Sequence, residues 1–298
     1  MDMRDEIRKI HELMESADYV TDAPIATAVH LAMVLKKPLL IEGHAGVGKT
    51  EVAKVMSRML GTNLIRLQCY EGLDANTALY EWNYPKQLLH IKLEEGSQHS
   101  MEQKEAAIFS EPFLLKRPLL QAITQNGQPP VLLVDEIDRA DQEFEAFLLE
   151  IFSDFQVTIP EIGTIKAVEP PYVVLTSNRE RELSDALRRR CLYLWIDYPS
   201  FEKEVRIVLR KVQGVNERLA REVSKFMESL RKLRLSKVPG VAETLDWALA
   251  LTALHADYLD AALVNETLGC VLKDADYIRR FKGELESTGL GRFLPLEG

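Results

Sequence analysis

An α/β domain built on a mainly parallel sheet, followed by a smaller all-helical domain, is the architecture implied by the order of apolar runs in this 298-residue chain. Short, largely apolar runs occur at residues 38–42, 64–67, 131–134, 172–175 and 192–196, as expected of strands buried on both faces. Helical periodicity fills the intervals between them, and strands alternating with helices assemble into parallel sheets. From Phe201 onward the strand signals stop.

In chain order, Ile7, Ile10, Leu13, Met14 and Ala17 recur at helical spacing. A polar break at 18–24 separates them from a second apolar helix over 25–35. The run 38–42 stops at a glycine, which reads as a buried strand entering a tight loop, and a helix follows over 51–60. After the third run, Phe144, Phe147, Leu148, Ile151, Phe152 and Phe155 form a helical stripe that faces the core. Farther on, Leu219, Val223, Phe226, Met227, Leu230 and Leu233 mark one helix, and a further helix is expected over about 243–259. Residues 1–199 thus form the α/β domain and 200–298 the helical one, with the boundary at Pro199-Ser200.

Composition limits the classes of function. The chain is 46% apolar and 28% charged, as globular domains are. Its 37 Lys+Arg stand against 46 Asp+Glu, a net charge of −9, so it lacks the electropositive footprint of a nucleic-acid binder. The longest apolar run, 25–35, contains His30 and ends at Lys36-Lys37, short of the roughly 18–20 residues that span a bilayer. Met1-Asp2-Met3-Arg4-Asp5-Glu6 has charge of both signs and no apolar signal core, so a cytoplasmic location is expected. Cys69, Cys191 and Cys270 form no CxxC pair and read as buried free thiols. The six histidines lack ligand spacing, so no metal other than Mg²⁺ is expected.

Gly43-His44-Ala45-Gly46-Val47-Gly48-Lys49-Thr50 matches the phosphate-loop pattern G-x-x-x-x-G-K-[ST], between a strand and the helix opened by Glu51. Glycines let the backbone curl around phosphate oxygens, while loop and helix-terminal amides point at the negative charge. In this pattern the stretch from Gly43 to Glu51 binds ATP or ADP, Lys49 contacts the β and γ phosphates, and the Thr50 hydroxyl holds Mg²⁺. Val131-Leu132-Leu133-Val134-Asp135-Glu136 ends an apolar strand in adjacent acids, costly beside a core unless they meet water or metal. Paired with the phosphate loop, Asp135 is the Mg²⁺ partner and Glu136 the base for the attacking water. Alone, Asn178, after Val173-Val174-Leu175-Thr176-Ser177, reads as a turn residue; beside the acidic strand it could bond the lytic water or γ phosphate. Arg188-Arg189-Arg190 is a solvated face, a carboxylate partner or a source of a guanidinium for a neighbouring subunit's phosphate.

The phosphate loop, Asp135-Glu136 followed by Ile137-Asp138-Arg139-Ala140, Asn178 and the 183–190 segment occur in an order that resembles the AAA+ ATPases, and within them the MoxR family. The resemblance implies a P-loop NTPase core with a helical lid, a hexameric ring of identical subunits, Asn178 as a sensor and an arginine finger supplied in trans. Arg190 aligns best with that finger and Arg189 second. It also implies a client-facing insert within about 68–95. The strings Arg66-Leu67-Gln68-Cys69-Tyr70-Glu71-Gly72-Leu73 and Ala78-Leu79-Tyr80-Glu81-Trp82-Asn83-Tyr84-Pro85 look most like the CoxD-like branch, whose members assist maturation of molybdenum-copper carbon monoxide dehydrogenase. The partners so implied are a protein with a von Willebrand factor A domain and a metalloenzyme client.

The period-2 pattern of Tyr80, Trp82 and Tyr84 suits either hairpin packing or client contact. MoxR relatives commonly carry an arginine in the lid helix, whereas this chain has Glu243 or Thr244 at that place. The expected activity is ATP hydrolysis that drives remodelling of a protein client. The alternative is a nucleotide-gated scaffold whose slow turnover times partner binding.

Overall fold

The structure, a computed structural model, describes residues 3–94, 100–233 and 237–294. Glu95, the last residue of the expected insert, and parts of the chain termini lie outside the described residues. The strands are β1 (Leu39–Gly43), β2 (Leu64–Gln68), β3 (Tyr80–Trp82), β4 (Leu114–Lys116), β5 (Val131–Asp135), β6 (Gln156–Ile159), β7 (Gly163–Lys166), β8 (Tyr172–Ser177) and β9 (Leu192–Ile196). The five expected strands form one sheet in the order β2-β5-β8-β1-β9. The pairs β2–β5, β5–β8 and β8–β1 are parallel, with Gln68 opposite Asp135 and Glu42 opposite Ser177. Helices lie between the strands that follow one another in this sheet, as parallel pairing requires. The carboxyl ends of these strands therefore share one sheet edge, where α/β folds place their ligands.

The chain divides into two compact units. The first comprises the chain up to Ile10, Ala23–Glu42 and Val52–Leu194; the second comprises His11–Asp22, Gly43–Glu51 and the chain from Trp195 onward. In the first, the sheet packs with the helices Pro118–Thr124 and Gln142–Asp154, burying Leu40, Leu67, Leu120, Leu132, Val134, Phe144 and Leu148. The phenylalanine stripe belongs to this core, with Phe147 partly buried against it. The helix stops at Phe155, whose φ of 47° turns the chain into the antiparallel β6–β7 ribbon. A second ribbon pairs β3 with β4 between β2 and the Pro118–Thr124 helix.

In the second unit the helices Phe201–Lys211, Glu217–Arg231, Val241–Ala253, Ala261–Val271 and Ala275–Thr288 bury Leu219, Val223, Phe226, Met227 and Trp247. Trp247 donates its indole N–H to Thr267 Oγ1 at 2.8 Å, satisfying a polar group inside that core. The helix expected over about 243–259 ends sooner, at Ala253. His255, at φ 57°, takes the left-handed position that closes a helix, and the Ala256 N–H returns to Leu251 O at 3.1 Å.

Candidate functional site

Within the second unit, the glycine loop is shaped by close approach. A Cβ on Gly43 would come within 2.1 Å of Ile196 O, and one on Gly46, at φ +74°, would meet Glu243 Oε2 and Gly240 Cα at 3.2 Å. Gly43 has no room for a side chain, and at Gly46 one would be strained by the left-handed backbone and by this close contact. Lys49 is buried, and its Nζ donates to the carbonyls of Gly43 at 2.8 Å and His44 at 2.7 Å. The His44 ring stacks on Tyr198, centroids 4.7 Å apart. The N–H groups of Val241 and Ala242 donate to Gly46 O at 2.9 and 3.2 Å, so the Val241–Ala253 helix begins on the loop. Glu243 Oε2 accepts from the Gly240 N–H at 2.8 Å, capping that helix. Thr244 is buried and donates to Glu204 Oε1 at 2.6 Å. Arg231 arrives from the preceding helix, bridges both Glu204 oxygens at 2.6 and 2.7 Å and donates to Thr244 Oγ1 at 3.0 Å.

Within the first unit, Asp135 and Glu136 end β5 in a closed set of polar contacts. Thr176 Oγ1 donates to Asp135 Oδ1 at 2.5 Å and accepts from the Glu136 N–H at 2.9 Å. Arg66, on the neighbouring β2, places Nε at 3.0 Å and a terminal nitrogen at 2.6 Å from Asp135 Oδ2. Arg66 also donates to Gln68 Oε1, and Gln68 Nε2 donates to Glu136 Oε2 at 2.9 Å. The Glu136 backbone is left-handed, φ 56° and ψ 51°, a conformation that non-glycine residues hold only when their surroundings enforce it. Here Thr176 and Gln68 do so.

Asn178 follows β8. Its N–H donates to Asp138 Oδ2 at 2.9 Å, as does the N–H of Glu180. Asp138 and Glu145 are both buried, and Glu145 Oε2 accepts from the Ser184 N–H at 2.8 Å and pairs with Arg181 through Oε1. These acids fix the loop between Asn178 and the Asp185–Arg190 helix. On that helix Arg188 pairs with Glu42 at 3.0 Å, whereas Arg189 and Arg190 are exposed. Sequence reasoning missed Glu42, Arg66, Gln68, Asp138 and Glu145. The available signal was charge placed in apolar company: Glu42 ends an apolar strand, and Glu145 falls on the buried face of the phenylalanine helix.

Cys69, beside Asp135 in the fold, has its thiol pKa pushed up to about 12 by burial and then by the charges of Asp135, Asp138 and Glu136. No group of three or more His, Cys, Asp or Glu side chains that could hold a metal occurs among the described residues. The donors present there are hard oxygens. Such a set suits Mg²⁺, which is usually held by one or two protein oxygens together with substrate phosphates.

A glycine-rich loop leaving an inner strand of a parallel sheet, with acids closing the next strand but one, defines the class of P-loop nucleotide-binding proteins. The model of the AAA domain (dynein-related subfamily) matches residues 38–191, just over half of the chain, and the protein belongs to this family of AAA+ ATPases. Among curated proteins, the chain is 23% identical over 214 residues to the denitrification regulatory protein NirQ of Pseudomonas aeruginosa, covering 70% of this chain and 72% of that one. It is 25% identical over 214 residues to NirQ of Stutzerimonas stutzeri, covering 70% and 68%. A crystal structure of a protein from Cytophaga hutchinsonii shares the fold with a TM-score of 0.50 at 15% identity, over 96% of this chain and 90% of the other. No helix among the described residues is long and apolar enough to cross a membrane.

Proposed function

We propose that this protein hydrolyses ATP to ADP and phosphate and uses the cycle to remodel a protein client, as a MoxR-type chaperone. The reading rests on one observation above the others. Adjacent acids end β5, and the strand order β5-β8-β1 leads from them to the strand that feeds the lysine-bearing glycine loop. In this assignment the amides of Gly43 to Gly48, with the start of the helix at Glu51, hold the phosphates. Lys49, freed from the Gly43 and His44 carbonyls, offsets phosphate charge. Thr50 and Asp135 would hold Mg²⁺, which when bound neutralises charge on the phosphates. Glu136 accepts a proton from water as its oxygen attacks the γ phosphorus and the bond to the bridging oxygen of ADP breaks. Asn178, aimed by Asp138, senses the γ phosphate.

Arg190, with Arg189 as the second choice, completes the site of a neighbouring subunit in a ring, taken to be a hexamer. The exposure of both residues supports this role. The likeness to the denitrification regulatory protein NirQ supports a regulatory duty. The finer assignment is to a CoxD-like protein of the cytoplasm, serving maturation of a carbon monoxide dehydrogenase-type metalloenzyme alongside a von Willebrand factor A protein. It rests on the strings within 66–85. Phosphate release by the purified protein should require Mg²⁺, rise per chain with protein concentration and increase when apo-metalloenzyme is added. Turnover that is flat with concentration excludes the trans arginine, and the absence of client stimulation favours a nucleotide-gated scaffold.

A further inference from the structure

Glu42 is the residue immediately before the phosphate loop, and its side chain is almost fully buried at 1% exposure. A carboxylate in such a place is costly unless it is paired and hydrogen-bonded. Its Oε2 accepts from Arg188 at 3.0 Å and from the Tyr193 hydroxyl at 3.0 Å, with Arg179 Nε 3.8 Å away. Its Oε1 accepts from Ser177 Oγ at 3.5 Å, and that hydroxyl accepts from the Arg179 N–H at 3.0 Å. Burial first, and then the hydrogen bond to Glu42, raise the Tyr193 pKa above its ordinary value, keeping its hydroxyl a donor. One carboxylate thus grips the end of β8, the residue after Asn178, the arginine helix and the strand that follows it.

The Asp185–Arg190 helix has six residues and cannot hold its own direction. Its amino end is fixed by Ser184, which caps the Leu187 N–H and donates its own N–H to Glu145. Near its carboxyl end, the ion pair from Arg188 to Glu42 supplies the second fixed point. Arg188 is therefore committed inside its own subunit, while Arg189 and Arg190, the next residues, project from a helix whose tilt the Glu42 pair sets.

We propose that Glu42 is a positioning residue for the arginine finger: through Arg188 it ties the strand that feeds the phosphate loop to the helix that presents Arg189 and Arg190 to a neighbouring subunit. The inference rests on the trans-finger reading. It makes the end of β1 the element that sets the reach of the finger, so the subunit that donates the finger, not the one that hydrolyses, needs Glu42.

That asymmetry is the test. Acceptor chains carry Arg189→Ala and Arg190→Ala, donor chains carry Lys49→Ala, and phosphate release is measured in equal mixtures. Placing Glu42→Gln in the donor should cut the rescued turnover by about tenfold or more, the scale of a misaligned catalytic group, while the same change in the acceptor leaves it within about twofold. Equal losses on both sides, or no loss on either, overturn the proposal. If Glu42→Gln fails to fold, Arg188→Lys keeps the charge but loses the fixed fork, and it should show the same donor-only loss. Full activity of a folded Arg188→Lys donor also overturns the proposal. A parent mixture with Glu42 intact that releases no phosphate refutes the finger in trans and takes the proposal with it; an active parent mixture with a symmetric or absent effect refutes the proposal alone.

Discussion

Gln68 Nε2 donates to Glu136 Oε2 at 2.9 Å, so the last residue of β2 holds the acid at the end of the neighbouring strand. The same side chain accepts from Arg66, which pairs with Asp135. Both strand-end acids are thus held by one edge strand, and the strained backbone of Glu136 is held with them.

Gln68→Ala removes the shorter of the two contacts on Glu136 Oε2 and leaves the glutamate side chain held only by Arg139, at 3.3 Å. Turnover should fall by about tenfold, because a positioned base loses its alignment, with ATP affinity nearly unchanged. Steady-state phosphate release and a fluorescent-nucleotide titration measure the two quantities. Turnover equal to the parent would mean that the contact does not orient the base.

The aromatic pattern at 80–84 separates into different roles. Trp82 is buried, edge-on to Phe109 with centroids 5.3 Å apart, and Tyr80 lies edge-on to Trp82, whereas Tyr84 is 59% exposed. Trp82→Ala should cost about 3–5 kcal/mol, as emptying an aromatic core position does. Tyr84→Ala should change stability by no more than about 0.5 kcal/mol, the usual range for a surface residue. Thermal melts distinguish the two, and if Tyr84 touches the client, its alanine variant loses client stimulation alone.

Burial raises the Cys191 thiol pKa to about 12, and burial together with three nearby carboxylates does the same for Cys69. Both groups stay protonated at pH 8, where the thiolate fraction is about a thousandfold below that of an ordinary thiol. Iodoacetamide should therefore label neither in the native protein and both in denaturant, with mass spectrometry as the readout. Rapid native labelling of Cys69 at pH 8 would contradict the buried placement.

What could be read in the sequence was local. The glycine loop, the acids ending an apolar run and the phenylalanine stripe each lie within one stretch of chain, where period and residue type carry the information. Glu42 and Arg188 are separated by 146 positions, and only the β8-β1-β9 order makes them neighbours. Arg66 and Gln68 face the acids because β2 pairs with β5 in register, which no pattern within residues 64–68 announces. The early end of the Val241–Ala253 helix was hidden for another reason. Left-handed closure usually uses glycine, and here His255 supplies it.

In the proposed mechanism Glu136 is the base that activates water, and binding is left to other groups. Lys49→Ala should abolish ATP binding, and Glu136→Gln should keep it. Single-turnover hydrolysis by Glu136→Gln at saturating Mg²⁺-ATP should be slower than that of the parent by about a hundredfold or more, the scale of losing a positioned base. A rate within about threefold of the parent, in a variant that still binds ATP, contradicts the assignment.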